Sequence, residues 1–216
     1  ARPLSSGQAG LRPPLPLEAG DRLRTGEFLR RYEAEALLKK AQLIEGIVHM
    51  PSPVRASLHA IPDSLIQGWL SFFAAFHPGV ESLTNATLLL DSENAPQPDA
   101  ILCSTPRKGS RVWLNGDGYL CGSPEFVCEV AASSASIDLH EKFRVYRRCG
   151  VQEYLVWLTA EDRVLWFELS GEDYVELKPE RGFLHSRVFP GLVLDVKALL
   201  KRDRARLLTA LRAGSD

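Results

Sequence analysis

A strand, a helix and a second strand between Glu125 and Leu158 restrict the fold of this chain most. Glu125–Ala131 is a compact apolar run, and Glu153–Leu158 is a second strand-like run. Between them, Ser133–Gly150 has the polar start and the glycine exit of a helix. A segment of this size and order predicts a βαβ unit, in which two parallel strands are joined by a right-handed crossover helix.

The rest of the chain places helices before this unit and more strands after it. This order predicts a single α/β (α+β) domain over residues 25–216, with a mixed central β-sheet flanked by helices. Residues 1–24 are rich in Pro, Gly and Ser and are expected to form an extended or flexible arm. The other expected elements are helices over Gly26–Lys40, Val54–Phe76 and Asp195–Ala213, strands over Gln42–Met50, Asn85–Leu90, Asp99–Cys103, Arg163–Leu169 and Tyr174–Leu177, and a loop over Lys108–Tyr119.

The charge balance does not indicate a nucleic-acid binder. The chain has 216 residues with a net charge of -1 and a pI of about 6.6, whereas nucleic-acid-binding domains are usually strongly basic. Contacts with DNA would therefore depend on local basic clusters, although such clusters are more often solvated surface. The clusters are Arg144, Arg147 and Arg148; Arg107, Lys108 and Arg111; and Arg22, Arg24, Arg30 and Arg31.

The cysteines and the apolar segments indicate a soluble, cytoplasmic protein. Cys103, Cys121, Cys128 and Cys149 form no C-x-x-C pair, so a zinc site is not favoured and reduced thiols are expected. No apolar run approaches the ~20 residues of a membrane span. The N-terminus lacks the apolar core of a signal peptide.

Glu129 is the first of three polar residues in positions where a core is expected. The run Phe126–Ala131 is apolar on both faces apart from this residue, and strands of that kind are usually covered on both sides. A carboxylate buried there is costly unless it is paired or bound to a metal. The alternative is that Glu129 lies at the end of the strand and reaches solvent.

Lys142 is the second residue. At 3.6 residues per turn, it falls on the same helix arc as the apolar residues Leu139, Phe143 and Tyr146. The alternative is a lysine whose stem packs while its ammonium group reaches water. Asp138 lies one turn earlier, where it could cap the helix.

Asp99 and Glu45 complete the set of candidate residues. Asp99 follows Pro98 at the start of a predicted strand, a position that a turn-favouring aspartate also takes. Glu45 interrupts the apolar run Leu43–Val48, and an ordinary exposed glutamate would explain it equally well.

These residue types form a minimal set for phosphodiester hydrolysis. Two acidic groups on adjacent strands can hold a hard divalent cation, and Mg²⁺ commonly takes one or two carboxylates plus waters. The metal lowers the pKa of a bound water, and a nearby ammonium can orient that water or stabilise the developing charge.

The spacing of these residues closely resembles that of the Uma2 family, formerly a DUF820-type domain, in the PD-(D/E)XK restriction-endonuclease-like superfamily. The resemblance covers roughly residues 25–200. Its motifs are Leu43-Ile44-Glu45-Gly46, Met50-Pro51-Ser52-Pro53, Pro98-Asp99, Glu129-Val130, Asp138-x-x-x-Lys142-x-x-x-Tyr146, Gly150-Val151-x-Glu153-Tyr154 and Phe189-Pro190-Gly191-Leu192.

The resemblance implies a restriction-endonuclease-like core with Mg²⁺, or Mn²⁺ in its place, as the cofactor. Asp99 and Glu129 would be metal ligands together with the Val130 carbonyl. Lys142 would replace the lysine that usually follows two residues after the glutamate, where this chain has Ala131. Glu45 would be an additional catalytic acid, and the remaining pocket residues would be Gln97, Asp138 and Tyr146.

The sequence leaves three functions open. The first is a Mg²⁺-dependent endodeoxyribonuclease, and the second is a catalytically silent nuclease-fold protein that binds DNA or a protein partner. The third is a metallohydrolase with another substrate. Ala131-Ala132-Ser133-Ser134 and Leu155-Val156-Trp157 depart from the family's usual residues, which leaves the fit to substrate open. A homodimer is expected, since two-fold assemblies are the commonest.

Overall fold

The computed structural model describes residues 14–38, 40–50 and 55–213. The helices are α1 (Thr25–Ala34), α2 (Ile61–Ala75), α3 (Ala135–Ile137), α4 (Phe143–Arg148), α5 (Val196–Leu200) and α6 (Arg204–Ala213), and π-helical turns span Ala56–Ala60 and Asp138–Lys142. The strands are β1 (Gln42–Ile44), β2 (Ile47–His49), β3 (Val80–Thr84), β4 (Leu88–Leu89), β5 (Ala100–Ser104), β6 (Val112–Leu114), β7 (Leu120–Gly122), β8 (Phe126–Ala131), β9 (Glu153–Leu158), β10 (Arg163–Ser170), β11 (Asp173–Glu176), β12 (Phe183–His185) and β13 (Val193–Asp195).

A mixed six-stranded sheet forms the centre of the fold, in the order β11-β10-β9-β8-β5-β3. Strands β8 and β9 pair in parallel, and the other neighbours are antiparallel. The parallel pair is joined by α3, the second π-helical turn and α4, which follow one another without a break. The predicted fold class and the strand–helix–strand unit are therefore confirmed.

Both faces of the sheet are covered, which explains why every residue of β8 and β9 is buried. Helices α2 and α6 cover one face, where Trp69 and Leu207 pack with Phe126 of β8. Helix α4 covers the other face, where Tyr146 packs with Val127. Since side chains alternate along a strand, even-numbered residues of β8 face α2 and odd-numbered residues face α4.

The short strands β1 and β2 form a hairpin beside the sheet. Glu45 and Gly46 form its two-residue turn with φ of 50° and 73°, and hairpin turns of this kind favour glycine because φ is positive. The segment before α1 pairs with this hairpin, since Leu23 N donates to Gly46 O and Gly20 N donates to Val48 O. Residues 1–13 of the expected arm lie outside the described residues.

Several expected elements differ from the structure, among them the strand Asn85–Leu90, which is reduced to β4 (Leu88–Leu89). Helix α1 ends at Ala34 rather than near Lys40. The expected loop Lys108–Tyr119 contains β6, whose turn into β7 is held by the Asn115 carboxamide as it accepts from Tyr119 N. The C-terminal helix is divided, because Arg202 has a φ of 56° and the Asp203 carboxylate accepts from Arg206 N at the start of α6.

Two further findings concern segments beside these elements. The second expected helix begins within the described residues as a π-helical turn, Ala56–Ala60, and the motif residues Pro51, Ser52 and Pro53 lie outside them.

Among the described residues, no helix combines the length and apolar character needed to cross a membrane.

Candidate active site

Asp99 and Glu129 meet where the start of β5 lies beside the end of β8. The antiparallel register pairs Ala100 with Cys128, so Asp99 comes one step later, opposite Glu129. Both residues have odd numbers in strands whose odd-numbered residues face α4. The strand pattern therefore directs the two carboxylates to the same face, and both are buried.

The backbone N–H and C=O of Val130 are not paired with β5. Residues 125 and 131 of the β8 segment accept bonds from β9, so the even-numbered residues bond towards β5. The ladder ends at Ala100 and Cys128; continued by two residues, it would place Pro98 opposite Val130, and proline has no N–H to donate. The Val130 N–H instead donates to Asp99 Oδ2 at 2.8 Å, and the Val130 carbonyl has no donor from β5.

Lys142 reaches Glu129 from the helix that covers this face. Its Nζ lies 2.8 Å from Glu129 Oε1 and 3.1 Å from Asp138 Oδ1. The Tyr146 hydroxyl donates to the same Glu129 oxygen at 2.8 Å. Lys142 is only 3% exposed, so its charge is buried and does not reach water along a packed stem. Asp138 lies inside the helix rather than at its start, and it accepts from the Ser134 hydroxyl.

Burial and the neighbouring charges shift the pKa values within this cluster. Burial, Asp138 and Asp99 together raise the pKa of Glu129 to about 8, although the charge of Lys142 lowers it. Burial alone lowers the pKa of Lys142, but Asp138, Glu129 and Asp99 together raise it above its ordinary value. Lys142 is therefore held as an ammonium among three carboxyl groups.

Asp99 contacts two further cationic side chains that the sequence did not single out. Its Oδ1 lies 3.4 Å from Lys40 Nζ and 3.5 Å from His59 Nε2. Burial raises the pKa of Asp99, but the hydrogen bond from His59 and the charge of Lys40 outweigh it and lower this pKa to about 2. The Asp99 carboxyl group is therefore held ionised, as a carboxylate that accepts from Lys40 and His59.

A cleft of about 630 Å³ opens above these residues. One wall comes from the hairpin and the first π-helical turn, and the other comes from the end of β8 and the start of α3. The lining residues are Lys40, Gln42, His49, Met50, Arg55, Leu58, His59, Asp99, Glu129, Ala132, Ser133, Ser134, Ile137 and Lys142.

Of the expected site residues, Asp99, Glu129 and Lys142 line the cleft. Val130, Asp138 and Tyr146 contact these three without lining it, and two others lie elsewhere. Glu45 lies in the β1–β2 turn, where its carboxylate pairs with Arg144 at 2.8 Å. Gln97 is buried and donates to the Tyr32 and Thr87 hydroxyls. Neither residue is among those that line the cleft, so the geometry gives no support to a catalytic role for Glu45 or a pocket role for Gln97.

The arginines considered for DNA contacts on α4 are already paired with acids. Besides Arg144 with Glu45, Arg147 pairs with Asp173, and Arg148 lies 3.6 Å from Asp91. Apart from Lys142, the basic residues that line the cleft belong to a different part of the chain, between Lys40 and His59. No local pattern marks them, because they approach Asp99 only when the hairpin packs beside the sheet.

The geometry agrees with the comparisons to known proteins. A family model named Uma2 and described as "Putative restriction endonuclease" matches residues 26–197. The chain belongs to the Uma2 family. This confirms the family to which the spacing of Asp99, Glu129 and Lys142 pointed.

A solved structure supports the fold of this Uma2 chain. It is described as "a putative nuclease belonging to DUF820 from Anabaena variabilis ATCC 29413" and matches with a TM-score of 0.62 at 14% identity. The match covers 82% of this chain and 96% of the other. At this identity the likeness shows a shared fold. Curated protein sequences give no match.

Proposed function

We propose that this Uma2 chain is a metal-dependent endonuclease that hydrolyses DNA phosphodiester bonds. One observation carries the proposal: Asp99 and Glu129 are opposed on adjacent strands at the floor of a cleft, with Lys142 bound to Glu129 at 2.8 Å. Family membership supports the same class of reaction.

The donor set fits Mg²⁺ or Mn²⁺. The proposed ligands are Asp99, Glu129 and the Val130 carbonyl, which lacks a ladder donor because Pro98 lies opposite. Oxygen ligands with no more than two carboxylates suit Mg²⁺, which keeps several waters. Within the described ranges, no group of three or more His, Cys, Asp or Glu side chains is arranged to hold a metal, so the fit depends on the carbonyl and on waters.

The surroundings of Glu129 support a cation beside it. Three carboxyl groups surround one buried ammonium, and the pKa of Glu129 is raised to about 8 by burial and by its acidic neighbours. The bonds to Glu129 from Tyr146 and Lys142 both fall on Oε1. Within the described part of the chain, Oε2 is left as an acceptor at the cleft.

Each side chain then has a separate task. When bound, the metal supplies positive charge that lowers the pKa of a water and offsets charge on the phosphate. Lys142 has three N–H groups, two of which face Glu129 and Asp138. The third can donate to a phosphoryl oxygen or orient the attacking water. Asp138 and Tyr146 hold Lys142 and Glu129 in position.

The test is cleavage of supercoiled plasmid and of single-stranded DNA in Mg²⁺ and in Mn²⁺. Glu129→Gln and Lys142→Met are each expected to lower the cleavage rate by on the order of 10²–10³-fold. Glu125→Gln is the matched control, because Glu125 is a buried glutamate just before the other end of β8 and does not line the cleft.

Two outcomes contradict the proposal in different ways. Equal cleavage by all three variants and the unchanged chain would show that the reaction does not use this site. DNA binding without cleavage in either metal would instead support the catalytically silent nuclease-fold protein.

A further inference from the structure

Basic side chains line one wall of the cleft in a chain whose net charge is -1. Lys40, Arg55 and His59 all line the wall formed by the hairpin and the first π-helical turn. The opposite wall contributes Ala132, Ser133, Ser134 and Ile137, which carry no charge. The cleft therefore has a basic side and a neutral side above an acidic floor.

Lys40 is positioned to bind both the floor and a ligand. Its Nζ donates to Asn85 Oδ1 at 2.9 Å and lies 3.4 Å from Asp99 Oδ1. An ammonium group has three N–H donors, so one remains for the cleft. The Lys40 side chain is 28% exposed, which makes its charge accessible to a ligand.

Arg55 and His59 extend the basic wall. Arg55 is exposed at the rim, and no ion pair within the described ranges holds its guanidinium. His59 lies deeper, with Nε2 at 3.5 Å from Asp99 Oδ1. A guanidinium matches the geometry of phosphate oxygens, and an ammonium provides a point charge.

We propose that Lys40, Arg55 and His59 form a binding site for the backbone phosphates of the DNA, next to the bond that is cut. This inference rests on the proposed nuclease function and names the substrate-binding wall of the same site. Phosphate contacts position a duplex without reading its sequence, so the wall accounts for DNA binding by a chain with no net basic charge.

Lys40 also competes with the metal, which gives the proposal a distinctive signature. A metal held by Asp99 would share that carboxylate with the Lys40 ammonium, so removing the ammonium would favour the metal. The same removal takes a cation away from the DNA. Lys40→Met is therefore expected to tighten metal binding while it weakens DNA binding, and damage to the fold would weaken both.

The experiment measures the two affinities separately. Calorimetry with Mn²⁺ and no DNA is expected to give about tenfold tighter binding for Lys40→Met than for the unchanged chain, from the loss of one nearby charge. Anisotropy of a fluorescein-labelled DNA duplex in Ca²⁺ is expected to give about tenfold weaker binding for Lys40→Met and for Arg55→Ala. The slope of log affinity against log salt should fall by about one in each.

Lys178→Met is the matched control, because Lys178 is an exposed lysine that does not line the cleft. It should change neither affinity. Unchanged DNA binding in both Lys40→Met and Arg55→Ala would overturn the phosphate wall even if the chain cleaves DNA. If Lys40→Met binds metal more tightly and DNA more weakly, but the unchanged chain cuts no DNA, the phosphate-binding wall is supported and the nuclease function is rejected. Failure of the wall and failure of the nuclease function are therefore distinguishable.

Discussion

The two ends of β8 both carry buried carboxylates, but their surroundings differ. Before the first residue of β8, Glu125 accepts from the Ser104 hydroxyl at 2.9 Å and from Ser104 N at 3.2 Å. Beside it, Glu153 accepts from Arg187 N and from the Ser186 hydroxyl. Near the other end, Glu129 shares one buried lysine with Asp138, and Asp99 lies across the strand.

The difference separates structural acids from candidate catalytic acids. At the first end, neutral donors satisfy the carboxylates: Ser104 at the end of β5 bonds Glu125, and the loop after β12 bonds Glu153. At the second end, Lys40 and His59 contact Asp99, whereas Glu129 and Asp138 share the one buried ammonium of Lys142. Sharing one counter-charge between two buried carboxyl groups is costly without a further cation. Ligands also tend to bind at the carboxyl ends of strands in α/β sheets, and β8 and β9 both end on this side.

The largest effect on stability is expected from removing the buried cation at the crowded end. Lys142→Met leaves Glu129 and Asp138 without their counter-charge, so the free energy of unfolding should fall by about 3–5 kcal/mol in metal-free buffer. Urea unfolding measures the change. Adding Glu129→Gln to this variant should restore part of the loss; no restoration would show that the carboxylates do not repel each other.

A smaller effect is expected at the satisfied end. Glu153→Gln replaces an acceptor oxygen with an amide donor that faces Arg187 N or the Ser186 hydroxyl. The free energy of unfolding should fall by about 2 kcal/mol, with DNA cleavage retained at saturating substrate. Glu172→Gln in the exposed β10–β11 turn is the control. If Glu153→Gln keeps the free energy of unfolding of the unchanged chain but loses DNA cleavage, Glu153 belongs to the functional site. The two ends of β8 would then not differ in function.

The smallest effect is expected from metal binding to the folded chain. A Mn²⁺ concentration ten times the Kd should stabilise the chain by about 1.4 kcal/mol, seen as a rise in Tm. Glu125→Gln should show the same rise, whereas Glu129→Gln should show little or none. An equal rise in both variants would place the metal away from the crowded end.

The sequence predicts the central parts of the fold because they depend on local periodicity. The apolar run of β8 indicated a strand covered on both faces, and the helix period placed Lys142 on the arc of Tyr146. Both features follow from the alternation of side chains along one element. The mixed sheet followed in turn from the order of such elements.

Local patterns could not rank the acidic residues. Glu45 and Glu129 each interrupt an apolar run, yet only Glu129 lines the cleft. Glu45 lies in a two-residue turn and pairs with Arg144. The two glutamates differ in where their strands lie within the fold. The apolar runs by themselves carry no information on that position.

The sequence by itself determined which faces of β8 and of its crossover helix are apolar, and hence which charges were candidates for burial. Only the tertiary structure decided which groups meet those charges. The register of β5 and β8, continued past its last pair, brings Asp99 to Glu129 and Val130, and packing of the hairpin and the first π-helical turn brings Lys40 and His59 to Asp99. Register and packing join residues far apart in the chain, so their outcome depends on the whole core rather than on any short segment.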